Sequence, residues 1–158
     1  MAERIVVGIS DYKTTQKPSS LLTYALGSCV GVCLRDSLLG CIGMAHILLP
    51  DSTLCMGDIH RPKFADTAIP DLLSEMIQMG ASRHRLTAKI AGGARLFGSQ
   101  NTINIGERNV QAVRSALQRL QIPLIAEDTG ADYGRTIEFF SVNGQLLIRS
   151  VKRPDKII

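Results

Sequence analysis

The chain has 158 residues, enough for one domain with a single sizeable core, and nothing in its length calls for a second. Its 45% hydrophobic and 20% charged residues are those of a soluble globular domain, while a 4% aromatic content without Trp disfavours nucleic-acid modules that work by base stacking. The net charge of +4 is spread along the chain rather than gathered in a run, which admits acidic partners without calling for nucleic acid.

The opening Met-Ala-Glu-Arg-Ile-Val-Val-Gly lacks the charged-then-apolar order of a signal peptide, and no apolar run approaches the ~20 residues that span a membrane. The expectation is a cytoplasmic chain with no membrane insertion. Four cysteines stand at 29, 33, 41 and 55. Their spacing contains no paired C-x2-C, so no metal site is expected, and a reducing compartment disfavours disulfides.

In chain order, Glu3 to Ser10 carries Ile5, Val6, Val7 and Ile9 and suits a strand. Asp11 to Ser20 is polar, holds Pro18 and reads as a loop. Apolar residues resume at Leu22 and run to Asp36; if this strand is unbroken, Cys29, Gly31 and Cys33 share one face and Val30, Val32 and Leu34 the other. A turn over residues 35–40 leads to a return strand from Cys41 to Leu49. Asp51 to Pro62 reads as an irregular loop. Phe64 to Met79 is the clearest helix, striped by Ile69, Leu72, Leu73, Met76 and Ile77, with Pro70 in or near its first turn, Asp66 or Thr67 as cap and Gly80 as stop. Leu86 to Ala91 reads as a strand closed by a tight Gly92-Gly93 turn. A second helix, begun by Asn104 or Gly106, runs to about Leu120. Leu124 to Glu127 is a strand, and Arg135–Ser141 with Gln145–Val151 form a hairpin through Asn143-Gly144. Residues 1–4 and 152–158 read as loose tails. Two helices striped on one side and six or more strands give a single α+β domain with the helices on one face of mixed or antiparallel sheets.

The chemistry concentrates in the first long hairpin. Pairing about a centre near residue 38 puts His46 opposite the region of Val30, within one residue of Cys29. A thiol is a weak nucleophile at its free pKa, and an imidazole within hydrogen-bond reach activates it. Thr23 could orient that imidazole. Gly27 and Ser28, small and turn-prone, let the backbone approach a ligand and offer N–H groups to an oxyanion. Against this stand simpler roles: free Cys is among the most buried residue types, Cys33 fits a core position, and a His on an apolar strand is usually a satisfied core residue. His60 is a rival base on a loop.

The stretch Thr-Tyr-Ala-Leu-Gly-Ser-Cys-Val-Gly-Val-Cys-Leu-Arg-Asp followed by Gly-Met-Ala-His-Ile-Leu-Leu-Pro resembles the signature of the chemoreceptor glutamine deamidases, the CheD family of bacterial chemotaxis. Lys-Phe-Ala-Asp-Thr-Ala-Ile-Pro at 63–70, Ala-Lys-Ile-Ala-Gly-Gly-Ala at 88–94, Ile-Gly-Glu-Arg-Asn-Val at 105–110 and Ala-Glu-Asp-Thr-Gly-Ala-Asp-Tyr-Gly-Arg-Thr at 126–136 agree in order. The resemblance implies an α/β/β arrangement, hydrolysis of receptor Gln side chains to Glu with release of ammonia, and catalysis by Cys29, His46 and Thr23 without cofactor. It also implies methyl-accepting chemotaxis receptors as substrate and a CheC-type phosphatase as partner. The alternatives are a non-catalytic chemotaxis adaptor and a cysteine hydrolase with another amide substrate.

Overall fold

Two five-stranded sheets lie face to face, and two helices cover the outer face of one of them, in a computed structural model that describes residues 1–96 and 104–158. In chain order the elements are β1 (Arg4–Val6), β2 (Tyr12–Gln16), β3 (Ser20–Leu26), β4 (Val30–Asp36), β5 (Cys41–Ile47), α1 (Ala65–Gln78), β6 (Leu86–Gly92), α2 (Ile105–Arg119), β7 (Leu124–Thr129), β8 (Arg135–Phe140), β9 (Leu146–Arg149) and β10 (Lys156–Ile157). One sheet runs β1-β3-β8-β9-β10 and the other β2-β5-β4-β6-β7. Each is mixed: β1 is parallel to β3 and β6 to β7, and the remaining pairs are antiparallel. The expected α+β class with an α/β/β layering is what the chain adopts.

Side-chain alternation divides the apolar residues between two cores. Val30, Val32 and Leu34 of β4 and Ala45 and Ile47 of β5 face the helices, meeting Ile69, Leu72 and Met76 of α1 and Val113 and Leu117 of α2. Cys33, Ile42 and Met44 face the other sheet and meet Leu21, Ile137, Phe139 and Ile148. Covered on both sides, β5 is buried at every position, which is why its sequence is an apolar run rather than an alternating one. Each fully buried Leu, Ile or Met contributes roughly 1.5–3 kcal/mol of transfer free energy, so β4 and β5 are the mechanical centre of the domain.

Several expectations need correction. Residues 12–16 are a strand rather than loop, paired with β5 at the sheet edge; Tyr-Lys-Thr-Thr-Gln is half exposed there, so no apolar alternation marks it. The long strand from Leu22 is not continuous: it stops at Leu26 in one sheet and restarts at Val30 in the other. Helix α1 begins at Ala65, with Phe64 at the cap position and no side-chain cap; Asp66 instead accepts from Ser52 N and Oγ, and Thr67 donates to Arg61 O. That start leaves Pro70 beyond the first turn, inside the helix. The C-terminal tail is exposed through Ile157 yet forms β10, with Ile158 and Leu146 exchanging backbone hydrogen bonds and Lys89 Nζ donating to Ile158 O at 2.8 Å. Asn104 does cap α2, accepting from Glu107 N at 3.1 Å, and the Asn143-Gly144 turn does join β8 to β9.

Candidate active site

The break between β3 and β4 makes the site. Gly27, Ser28 and Cys29 carry the chain from one sheet to the other, so Cys29 sits at the crossing rather than within a strand. The backbone there is held tightly: Gly93 N donates to Cys29 O and Ala94 N to Gly27 O, both at 2.8 Å. Gly92 has φ +113°, and a Cβ on it would lie 2.2 Å from the Cys29 carbonyl oxygen, so only glycine fits against the nucleophile candidate. The Gly92-Gly93 turn is thus a buttress for Cys29. Among the described residues, neither Ser28 N–H nor Cys29 N–H has a backbone acceptor.

On β5, His46 pairs with Gly31 of β4, one position from the expected register. Its ring lies on the face between the sheets, where Thr23 of β3 reaches it: Thr23 Oγ1 is 2.7 Å from His46 Nδ1 and donates to Val7 O at 2.7 Å. A hydroxyl has one hydrogen. With that hydrogen on the Val7 carbonyl, which can only accept, Nδ1 must carry the ring proton and Nε2 the lone pair. Nε2 is buried and, among the described residues, has no hydrogen-bond partner, Cys29 included. Cys29 lies two residues before Gly31, on the same inter-sheet face, which makes it a diagonal neighbour of His46. Thr23 and His46 are 0% exposed and Cys29 is 7% exposed, so Cys29 is the member of the trio that solvent reaches. A bulge between Thr23 and Leu26, with Ala25 at φ +60°, turns Tyr24 outward beside them.

Burial lowers His46 to about 4 and raises the Cys29 thiol above its ordinary value, the latter opposed by Cys29's own backbone N–H. The resting pair is therefore neutral thiol and neutral imidazole. An uncharged ring does not stabilise a resting thiolate, and desolvation decides the direction of both shifts.

The other candidates separate cleanly. Cys33 is fully buried, and burial pushes its thiol far up despite Lys89 nearby. Cys41 is raised to about 11 by burial and by Asp36 and Glu75, and all four cysteines are free. His60 is exposed, with Nε2 2.8 Å from Ser10 O. Among the described residues no group of three or more His, Cys, Asp or Glu could hold a metal, and no helix is long and apolar enough to cross a membrane.

One residue at the site escapes sequence reasoning. Asn109 of α2 is 0% exposed, and its Nδ2 donates to Ser28 O at 2.9 Å and to Leu48 O at 3.0 Å. A polar residue on the buried stripe of α2, four positions before Val113, is the signal that marks it.

Fold and site together define a two-sheet domain with one helical layer and a Cys-His-Thr set at the strand crossing. The chain belongs to the CheD family: residues 48–150 match its model, described as CheD chemotactic sensory transduction. It is 49% identical over 160 residues, 99% of this chain and 96% of the relative, to a probable chemoreceptor glutamine deamidase CheD of Moorella thermoacetica. It is 45% identical over 161 residues, the whole of both chains, to the protein of that name from Lachnoclostridium phytofermentans. It is 44% identical over 162 residues, again the whole of both, to the chemoreceptor glutamine deamidase CheD of Halalkalibacterium halodurans.

Proposed function

We propose that this chain is a protein-glutamine deamidase that converts Gln side chains of methyl-accepting chemotaxis receptors to Glu, with Cys29 as nucleophile, His46 as base and Thr23 as the group that orients it. The observation that carries the reading is the buried Thr23–His46 hydrogen bond, which leaves Nε2 unprotonated and unpartnered on the face that Cys29 shares. His46 Nε2 takes the thiol proton as Cys29 Sγ bonds to the carboxamide carbon, and the oxyanion is held by N–H groups of the Gly27-Ser28-Cys29 crossing. The intermediate collapses with cleavage of the C–N bond, and the proton on Nε2 leaves with the amide nitrogen as ammonia. Water then gives a proton to Nε2 and its oxygen to the thioester carbon. The C–S bond breaks, and the proton returns to sulfur. The sum is one carboxamide and one water giving one carboxylate and ammonium. The unengaged thiol fits a dyad that closes only when substrate is bound.

The free cysteines fit a reducing cytoplasm. A CheC-type phosphatase as partner rests on family membership. The test is to incubate the chain with receptor cytoplasmic fragments and read peptide mass: a gain of about 1 Da at defined Gln residues with wild type, abolished by Cys29→Ala, is expected. Binding without mass change would make the chain an adaptor.

A further inference from the structure

We infer that Asn109 is a positioning residue that sets the Ser28–Cys29 peptide so that the Cys29 N–H serves as an oxyanion donor. The inference rests on the deamidase reading of the site. A trans peptide, as Ser28–Cys29 is, points its C=O and its N–H in opposite directions. Asn109 reaches from α2, in the helical layer, and draws the Ser28 carbonyl toward that layer at 2.9 Å. The Cys29 N–H of the same peptide must then point the other way, to the inter-sheet side where its own sulfur lies. It has no backbone acceptor among the described residues and lies beside its own sulfur. Were the peptide to flip, the Ser28 carbonyl oxygen would face the developing oxyanion and repel it.

The second hydrogen of the same amide fixes the partner strand. The β4–β5 ladder ends at Val30–Ile47. Beyond that pair the strands are linked by no ladder bond, and Asn109 Nδ2 bridges them through Ser28 O and Leu48 O. One buried amide thus ties the residue before the nucleophile to the strand end that carries the base. Its Oδ1 is buried and unpaired among the described residues.

Asn109→Leu keeps approximate size and removes both donors. With a receptor cytoplasmic fragment, kcat should fall about 10²-fold and KM stay within about threefold, the split expected for a donor that acts on the transition state. Alkylation of Cys29 by iodoacetamide forms no oxyanion, so its rate should stay near that of wild type. Should Asn109→Leu not yield folded protein, Asn109→Ser is read by the same three measurements with the same expectation. Deamidation at wild-type rate in a folded variant overturns the inference alone. A fall in alkylation equal to the fall in kcat also overturns it, since Asn109 would then merely hold the loop together. A wild-type chain that leaves receptor Gln unchanged ends the deamidase reading and this inference with it.

Discussion

Thr23→Val removes one hydroxyl from a fully buried position with little change of shape, and it tests how His46 is prepared. In the wild-type chain the hydroxyl accepts from His46 Nδ1 and donates to Val7 O, each at 2.7 Å. Valine leaves both groups unpaired inside the protein. A hydrogen bond to a group that gains charge is worth roughly 1.5–3 kcal/mol, and the Nδ1 bond strengthens as Nε2 takes a proton, so kcat should fall about 10–150-fold. KM should hold, because Thr23 is 0% exposed and touches no substrate. The orphaned Val7 carbonyl should lower stability by about 1–3 kcal/mol, a loss visible in Tm. The assay is ammonia release and Gln-to-Glu conversion on a receptor fragment, run beside Thr23→Ser, which keeps the hydroxyl and should keep most of the rate. If folded Thr23→Val retains kcat within about twofold, hydroxyl control of the ring tautomer is wrong and His46 is either oriented otherwise or is not the base.

With His46 lowered to about 4, the acid limb of kcat/KM should fall near pH 4 instead of near the ~6.5 of a free imidazole; a limb at 6.5 would mean that the ring is not desolvated in solution. The same shift makes the unfolded chain bind a proton between pH ~6.5 and ~4 that the native chain does not, so stability declines as pH falls through that window, and His46→Gln should flatten the decline in denaturant titrations. Gly92→Ala places a Cβ against the Cys29 carbonyl at φ +113° and should cost at least ~1–2 kcal/mol in Tm-derived stability and most of the turnover. Asp36 is buried; burial alone would raise it, but Arg85 and the Ser82 and Leu39 N–H groups hold it at about 2. Its stabilisation is therefore full above the ordinary carboxylate pKa and is lost as pH falls through about 2, and Asp36→Asn should cost about 2 kcal/mol at neutral pH, discounted for a partner Arg85 that is 38% exposed.

The helices, the β4–β5 hairpin and the two-faced division of its residues were legible because their periodicities are set by burial. Val30, Val32 and Leu34 against Cys33 is an alternation that only a strand between two apolar layers needs. The hairpin register was legible to within one residue because its turn is short. What could not be read was anything fixed by partners remote in the chain. Tyr12–Gln16 is a strand because β5 offers it an edge, and Leu26 ends its strand because Gly27 packs on Leu96 and Cys29 on the Gly92 turn. Thr23, Cys29 and His46 were legible as candidates from residue type and motif. That burial keeps both members of the dyad neutral was not, since desolvation depends on the second sheet.

The change of sheet at Gly27–Cys29 explains why a site can exist in so well packed a place. A residue inside β4 would be sealed between layers, as Cys33 is at 0% exposure, and its thiol would be inert. A residue on an outer loop would have exposure but no fixed relation to His46. At the crossing, the strand leaves its ladder one residue before Val30, which opens the edge enough to leave Cys29 at 7% exposure, while Gly93 and Ala94 tie the neighbouring carbonyls in place. Rigidity and access, which a strand interior and a free loop each supply singly, coincide there. Gly31 extends this: it faces His46 in the ladder, and the space its side chain would fill is taken by Ile137 Cδ1, 2.5 Å from a Cβ built on it. The position facing His46 in the ladder is thus filled by hydrocarbon rather than by a side chain of β4.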